Sequence, residues 1–506
     1  MATASEILTE FRLRGVQLWL ENDQLRYKAP EGLVSQEDLS RLRFHKAQLL
    51  TLLAEEYRAA EVLRSTTGNR YPLSYSQRSH WNTFNLKDRP AVRQIASATW
   101  LRGKLDKDAL EGAIRELVRR HASLRTRIVF VNGEPLQVVD PKSEFKLRTE
   151  QLEIATPSSL DTQVQARISE LILEPIDIAK GPLFTSRLLY VGDREQILLV
   201  VMEHVISDAH SMGVFLTQLR VLYGKLSSGR PTTEVPLEIQ FTDYVSEQLR
   251  GHEAWIGEHG AYWCGRIDAP SSFAQFPVDA GSASLGGNVG WGTVTFEWGQ
   301  DFKTRLASWS RIHHTTAVIA VLTAFICTVA SWCDQNSVVV RYQTDGRTSA
   351  QTKDVIGFFA CPLYVFLSIF PQDTFYDVLK KVGVALCDAH ERSDSCYLET
   401  LTPRPRFLRS CAFNWLPQPV GCEAIESQQA DAGLEYEPFT YQDPLLDRLE
   451  ADSDPVLLIL ERQEKLIGRM HFPLQRFPAE AMQRFVDTLL SMAGRMLGHP
   501  ESKLAK

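Results

Sequence analysis

The sequence predicts an α/β fold class, in which two α/β sandwich lobes follow a small α+β domain. From residue 71 onward, segments with helical periodicity alternate with apolar, strand-like runs, a pattern typical of layered α/β architectures. This alternation starts anew after residue 250, so we place one lobe at 71–250 and the other at 251–500. Residues 1–62 form a separate series of helix, hairpin and helix. The chain is therefore expected to be bilobal, and the cleft between lobes is a common ligand site.

The composition predicts a soluble globular protein, with 44% hydrophobic and 23% charged residues. Its formal net charge of −7 argues against general nucleic-acid binding, which requires a basic surface. No window of about 18 consecutive apolar residues occurs. The N-terminus also lacks the regions of a signal peptide, so we expect a cytoplasmic protein that does not bind membranes. All eight cysteines follow residue 263 without paired metal-ligand spacing, which predicts reduced core cysteines and no metal site.

The predicted first domain begins with an amphipathic helix at residues 4–14. Alternating strands at 16–20 and 24–28 follow, and the polar residues between them indicate a hairpin. Ser35 with Asp38 three residues later opens a second helix as a capping box, and leucines supply its apolar face. The exposed edge of such a hairpin can accept a strand from a partner peptide.

Five basic side chains in this first domain are candidates for holding an acidic peptide: Arg26, Lys28, Arg41, Arg43 and Lys46. The alternative is that they are ordinary solvated charges. The order of elements and the hairpin resemble the N-terminal β-hairpin docking domains of nonribosomal peptide synthetases and mixed polyketide assembly lines. This resemblance implies that residues 1–62 bind a short, often acidic motif at the C-terminus of an upstream subunit.

The two lobes are predicted to share one alternation of helices and strands. In the first lobe the predicted elements are a strand at 96–102, a helix at 109–121 capped by Asp106, two strands around a turn at 132–133, a helix at 163–173, and strands at 183–191 and 196–202. In the second they are strands at 291–298, 337–343, 411–415, 455–462 and 465–471 and helices at 302–312, 316–333, 374–390 and 479–497. The helix at 316–333 is apolar nearly all round, which predicts that it is buried.

A charged cluster follows the last predicted strand of the first lobe. His204 and Asp208 stand four residues apart, and helical periodicity resumes at Met212. A histidine at a strand-to-helix junction is well placed for proton chemistry, because its free pKa lies near neutrality. A lone His-x-x-x-Asp also arises by chance, so this spacing alone does not identify a catalytic site.

Residues 71 to about 498 resemble the condensation domains of nonribosomal peptide synthetases, which belong to the chloramphenicol-acetyltransferase-like superfamily. The resemblance rests on several short motifs in the family's order, at residues 73–77 with Trp81, 120–126, 241–245, 346–347, 356–359 and 413–415. It implies that the two lobes form a V with a central tunnel between them.

The family's active-site motif is His-His-x-x-x-Asp-Gly, and here it reads Glu203, His204, three residues, Asp208 and Ala209. The resemblance implies that His204 is catalytic and that Asp208 is structural. It also implies an arginine partner from the other lobe for Asp208, for which Arg347 is the best candidate, because a buried carboxylate needs a cation or several N–H donors. Glu203 is expected to accept hydrogen bonds or raise the basicity of a nearby histidine. The methyl group of Ala209 is expected to narrow the tunnel, and to restrict the backbone if the position needs positive φ.

The resemblance implies acyl transfer from a carrier-protein thioester to an amine or a hydroxyl acceptor, with amide or ester formation. His204 Nε2 would act as general base, or would position the nucleophile and stabilise developing charge. No cofactor is expected on the chain itself, because the substrates are carried on the phosphopantetheine of partner carrier proteins. The expected partners are an acyl or peptidyl carrier protein with a C-terminal docking motif, and a second carrier protein or a soluble acceptor.

Because the sequence ends near the end of the condensation fold, we expect transfer in trans and release of the chain, unless the sequence is trimmed from a longer synthetase. Two other interpretations remain open. The chain could be a degenerate condensation-like domain that recruits a partner protein, since two motif positions are altered. It could also be an acyltransferase that uses soluble coenzyme A thioesters, which share the pantetheine arm.

Overall fold

In the residues that it describes, the computed structural model has a mixed α/β architecture with four sheets, which confirms the predicted fold class. The described residues are 7–8, 10–11, 16–21, 24–28, 34–53, 69–84, 94–131, 134–142, 145–152, 160–192, 194–232, 236–267, 276, 290–393, 397–398, 410–416, 434–439 and 454–504.

The first domain is built on a two-stranded antiparallel hairpin, as the alternation predicted. Strand β1 (Gln17–Glu21) pairs with β2 (Gln24–Lys28), and helix α1 (Gln36–Phe44) follows. The predicted capping box is confirmed, since Asp38 N donates to Ser35 Oγ at 3.1 Å and Ser35 N donates to Asp38 Oδ2 at 2.9 Å. Apolar side chains of this domain form a core of their own: Ile7, Leu8, Phe11, Val16, Leu18, Leu42, Leu49 and Leu53.

The first lobe packs helices against a five-stranded and a three-stranded sheet. Its elements are β3 (Arg70–Pro72), α2 (Tyr75–Phe84), β4 (Gln94–Gly103), α3 (Lys107–Arg120), β5 (Thr126–Val131), β6 (Glu134–Val139), β7 (Arg148–Gln151), α4 (Leu160–Ile172), β8 (Phe184–Gly192), β9 (Glu195–Glu203), α5 (Ala209–Ser227) and α6 (Phe241–Ile267). Strand β9 lies inside the larger sheet between β4 and β8, and its residues from Gln196 to Glu203 are all buried. The apolar run before the charged cluster is therefore a core strand, as predicted.

The second lobe packs helices on one six-stranded sheet, ordered β10-β16-β15-β13-β11-β12. Its elements are β10 (Trp291–Trp298), α7 (Gln300–Ile312), α8 (Ala317–Cys333), β11 (Ser337–Thr344), β12 (Cys361–Ser368), α9 (Phe375–Glu391), β13 (Ala412–Leu416), β15 (Val456–Glu461), β16 (Leu466–Pro473) and α10 (Ala479–Gly498). Strand β14 (Leu434–Pro438) lies between β13 and β15 in sequence but is not part of this sheet. The side chains from Ala320 to Val329 are all buried, which confirms the interior position predicted for α8.

The predicted division at residues 250 and 251 needs correction in two places. Helix α6 runs unbroken through both residues. Gly251 does not end it, because the cost of about 1 kcal/mol for an exposed helical glycine is small beside the burial of Phe241, Val245 and Trp263 on the same helix. Strand β14 lies after the division in sequence, yet it pairs with β4 and forms an edge of the first lobe's sheet.

Among the described residues, no single helix has the length and apolarity to cross a membrane. Helices α7 and α8 meet that test of length and composition only when taken together, as a pair bent by 99°.

Candidate active site

His204 lies at the junction between a buried strand and a helix. Strand β9 ends at Glu203, residues His204–Ile206 form a short 3₁₀ turn, and α5 starts at Ala209. Asp208 is the N-cap of α5, because its Oδ1 accepts a hydrogen bond of 2.8 Å from the backbone N–H of Ser211. The same carboxylate therefore fixes the start of the helix that follows the histidine.

Asp208 is also the point where the second lobe contacts this junction. Arg347 donates two hydrogen bonds to it, from Nη1 at 3.0 Å and from Nη2 at 3.2 Å. The backbone N–H groups of Phe359 and Ala360 donate to Oδ2 at 3.0 and 3.1 Å. The ion pair is buried, with 2% of the Arg347 and 3% of the Asp208 side chain exposed. Burial alone would raise the pKa of Asp208, but the Arg347 guanidinium and the N–H donors outweigh it, so the pKa is lowered.

The contacting residues of the second lobe belong to the segment 345–360 between β11 and β12, which we call the floor segment. Ser211 on α5 joins it through three bonds: its Oγ accepts from Arg347 Nη2 at 2.9 Å and from Gly357 N at 3.0 Å, and donates to Gly357 O at 2.7 Å. Gly346 has a φ of 66°, and a β-carbon there would collide with the Phe359 carbonyl. The segment therefore needs glycine at position 346 to bring Arg347 onto Asp208.

The His204 ring is enclosed by protein and still keeps accessible surface. Its Nδ1 is fully enclosed and makes no hydrogen bond of good geometry among the described residues, although polar backbone groups of His204 and Ser207 lie near the ring. Phe358 of the floor segment lies 4.3 Å from it and His80 of α2 lies 5.0 Å from it, measured between ring centroids. Burial lowers the pKa of His204, because the imidazolium is poorly solvated there, while the backbone and Asp208 act in the opposite direction more weakly. The lowered pKa favours the uncharged imidazole at neutral pH, and the residue as a whole is only partly buried.

Glu203 and Ala209, the two positions where the motif departs from that of the family, flank the segment from His204 to Asp208. Glu203 is 3% exposed at the end of β9, and its carbonyl accepts a hydrogen bond of 3.1 Å from Ser207 Oγ. Ala209 is exposed as the first residue of α5. Its φ is not positive, so its backbone does not need the freedom of glycine. The expected backbone restriction at this position is therefore not present.

Helix α2 is a further part of the site, and sequence reasoning missed it. The residues 73–77 and Trp81 indicate only a family motif in the sequence, and His80 between them carries no functional signal there. In the structure, Gln77 Nε2 donates to the Val205 carbonyl at 2.7 Å, and Ser76 Oγ donates to the Ala360 carbonyl at 3.0 Å. The helix is therefore bound both to the His204 turn and to the floor segment. The signal available in the sequence was the spacing of Gln77 and His80. Residues three apart in a helix lie on one face, so His80 shares the face of a residue in the family motif.

The candidate docking residues are not equivalent in the structure. Arg26, Arg43 and Lys46 are exposed. Arg41 is bound by Glu10, which accepts from both of its terminal nitrogens, and also lies 3.6 Å from Asp38. The Lys28 side chain lies outside the described residues. Arg41 is thus already paired with acidic side chains of its own domain.

Nothing in the described part of the chain resembles a metal centre, since no three His, Cys, Asp or Glu side chains are grouped to hold an ion.

The family model of the condensation domain matches residues 68–506. The chain belongs to the condensation domain family. Condensation domains are amide-forming acyltransferases. A second model, the TubC N-terminal docking domain, matches residues 5–55. The resemblance of each part of the chain to its family is therefore confirmed.

Among the relatives is a linear gramicidin synthase of Brevibacillus parabrevis, one of whose chains is 22% identical to this protein over 462 residues. The match covers 90% of this chain and 9% of that protein, so this chain spans about a tenth of the length of the relative.

Two solved structures share the fold. The X-domain from teicoplanin biosynthesis, solved in complex with OxyB, superposes with a TM-score of 0.70 at 19% identity, covering 87% of this chain and 96% of its own. A structure that describes condensation domain-mediated chain release from the enacyloxin polyketide synthase has a TM-score of 0.65 at 19% identity. It covers 98% of this chain and 97% of its own, so the likeness extends over the first domain as well as both lobes.

Proposed function

We propose that this chain moves an acyl group from the phosphopantetheine thioester of a carrier protein onto an amine or a hydroxyl. The observation that carries the proposal is the position of His204 at the strand-to-helix junction, with a lowered pKa and its ring 4.3 Å from Phe358 of the floor segment. A neutral imidazole is ready to accept a proton, whereas an imidazolium is not. Membership of the condensation domain family supplies the reaction class.

In the proposed reaction the nucleophile attacks the thioester carbonyl carbon, a C–N or C–O bond forms and the C–S bond breaks. His204 Nε2 takes the proton of the nucleophile, or orients it and stabilises the developing charge, and the proton ends on the leaving thiol. The burial of Nδ1 supports the choice of Nε2 as the nitrogen that faces the substrate.

We assign supporting roles to four residues around this histidine. Asp208 and Arg347 form the buried ion pair that locks the strand-to-helix junction to the floor segment, so they hold His204 and do not react. Glu203 is proposed to tune the polarity behind the ring, since its buried side chain directly precedes His204. Ala209 is proposed to narrow the tunnel, since its methyl group is exposed beside the junction.

The proposed function is tested by incubating the full chain with a carrier domain that bears an acyl-phosphopantetheine group and its own C-terminal tail. A panel of amines and alcohols is offered, and products are followed by intact-protein mass spectrometry. Acyl loss from the carrier with formation of a matching amide or ester supports the proposal. Binding without turnover favours a recruiting domain, and equal turnover with coenzyme A thioesters without tail dependence favours a coenzyme A-dependent acyltransferase.

The pH profile of this transfer is expected to have its acid limb below 6.5, the ordinary pKa of a histidine. Because burial lowers the pKa of His204, the ring stays uncharged as the pH falls through the ordinary value. Its base form is lost only when the pH falls through the lowered pKa. The measurement is kcat at saturating donor, with tryptophan fluorescence at each pH as the control for folding. An acid limb above 6.5 would contradict an unprotonated, buried base.

We further propose that residues 1–62 dock the carrier subunit, as the TubC docking-domain match suggests. Deleting residues 1–60 is expected to raise KM for the tailed carrier by about 10-fold or more, because binding through two sites raises the effective concentration. A small acyl-pantetheine thioester should react equally well with both proteins, since it has no tail. The separate core of the first domain allows this deletion without exposing the lobes' own cores. Equal loss with both donors would count against docking.

Release of an acyl chain in trans is the specific form of transfer that we propose. The combination of a docking domain and a condensation domain in one chain favours a donor that arrives from a separate subunit. In the assay above, this predicts product that leaves the carrier domain and appears on a soluble acceptor.

A further inference from the structure

We propose that His80 is a second imidazole of the reaction centre, which positions the His204 ring and stabilises the imidazolium that forms there. This inference rests on the proposed function, because it names a further residue of the same reaction. His80 and His204 lie on different elements and far apart in sequence, yet their rings are in contact. The residue directly before His204 is Glu203. The imidazole that contacts the His204 ring belongs to His80 on helix α2.

Three rings meet at this point. The centroids of His80 and His204 are 5.0 Å apart with the ring planes inclined by 47°. Phe358 lies 4.3 Å from His204 and 5.6 Å from His80, so each ring contacts the other two. His204 is therefore oriented by one imidazole from the first lobe and one phenyl ring from the floor segment.

Polar contacts of α2 hold His80 in this position. Gln77 lies one helical turn before His80 and is fully buried. Its Nε2 donates to Val205 O at 2.7 Å, within the turn that carries His204, and to Gln137 Oε1 at 3.0 Å. Ser76, four residues before His80, donates to the Ala360 carbonyl. The register of the helix against the His204 turn is thus fixed by directional bonds at its first turn.

The two neighbours of His204 differ in what they offer to a charge. A phenyl ring can hold an orientation, but an imidazole also carries ring nitrogens that can take part in hydrogen bonds. When His204 takes the proton of the nucleophile, the imidazolium forms where burial disfavours it. A polar ring already in contact lowers this cost without reorganising solvent, which is the basis of preorganised stabilisation. His80 therefore acts through His204 as a positioning residue.

The test compares His80→Ala, His80→Phe and Arg78→Ala in the full chain. The donor is the acyl-pantetheine thioester, and the acceptor is an amine or alcohol that gives turnover with the unaltered protein. Arg78 lies on the same helix but pairs with Glu134 at 3.5 Å, so its replacement controls for a general disturbance of α2. Thermal unfolding of each variant separates loss of fold from loss of chemistry, and His80→Phe keeps a ring of similar size in place.

We expect kcat to fall by about 10-fold or more in both His80 variants, with KM for the donor little changed. Free imidazole should restore part of the rate to His80→Ala, where the ring space is empty, but not to His80→Phe. Arg78→Ala should keep the rate of the unaltered chain. A His80→Phe variant that retains full kcat would reduce His80 to a packing role and overturn the inference. Absence of turnover in the unaltered chain would instead contradict the proposed function itself, and the inference would fall with it.

Discussion

Replacing His204 by alanine is expected to lower the rate constant of the acyl-transfer step by about 10²- to 10⁴-fold, the usual range for removing a general acid–base group. The ring lies at the junction of β9 and α5, and its lowered pKa favours the unprotonated form at neutral pH. Without it, the nucleophile loses the imidazole that is proposed to accept its proton at that place. The measurement is single-turnover transfer from the acylated carrier, which isolates the chemical step from carrier binding.

A matched control distinguishes this effect from the loss of any histidine. His499 is exposed and follows the end of α10 in the second lobe, so His499→Ala should leave the rate unchanged. Binding of the acylated carrier should also be unchanged in His204→Ala, because the docking domain is a separate unit. Product formation at the full rate by His204→Ala would remove the central element of the proposed mechanism.

The junction that carries His204 was predictable from local sequence. An apolar run followed by His, Asp and a return of helical periodicity predicts a buried strand that ends in a capped helix, and the structure contains these elements. The Arg347 candidate came from family resemblance, because the sequence separation of 139 residues from Asp208 has no local signal. The structure explains the contact through Gly346, whose positive φ turns the floor segment toward α5.

Other features were beyond prediction because they depend on register between distant elements. The polar residues of β14 have no core pattern, and only the pairing with β4 makes them a strand of the first lobe's sheet. Pro362 made β12 difficult to recognise as a strand in the sequence. In the structure it lies near the start of that strand, where proline is tolerated. His80 likewise carried no sign of its contact with His204, since that contact depends on how α2 docks on the His204 turn.

Replacing Arg347 by alanine is expected to destabilise the protein by about 3–5 kcal/mol, because it leaves the buried Asp208 carboxylate without its cation. Both side chains of this pair are almost fully buried, so solvent does not weaken the interaction. The folded-state pKa of Asp208 is lowered, so its stabilising contribution is present at neutral pH and is lost as the pH falls through that pKa. Urea unfolding at neutral pH measures the change directly.

A surface ion pair provides the matched control for this loss. Lys465 contacts Glu297 at 2.9 Å, but its side chain is 43% exposed and that of Glu297 is 51% exposed. Lys465→Ala should therefore change the free energy of unfolding by no more than about 1 kcal/mol. Replacing both Asp208 and Arg347 by apolar residues should cost less than the sum of the single changes, because no unpaired charge remains in the interior. If Arg347→Ala lowered the free energy of unfolding no more than Lys465→Ala does, the buried pair could not be what holds the floor segment against the His204 junction. The bonds that Phe359 N and Ala360 N donate to Asp208 would then have to hold the floor segment there instead.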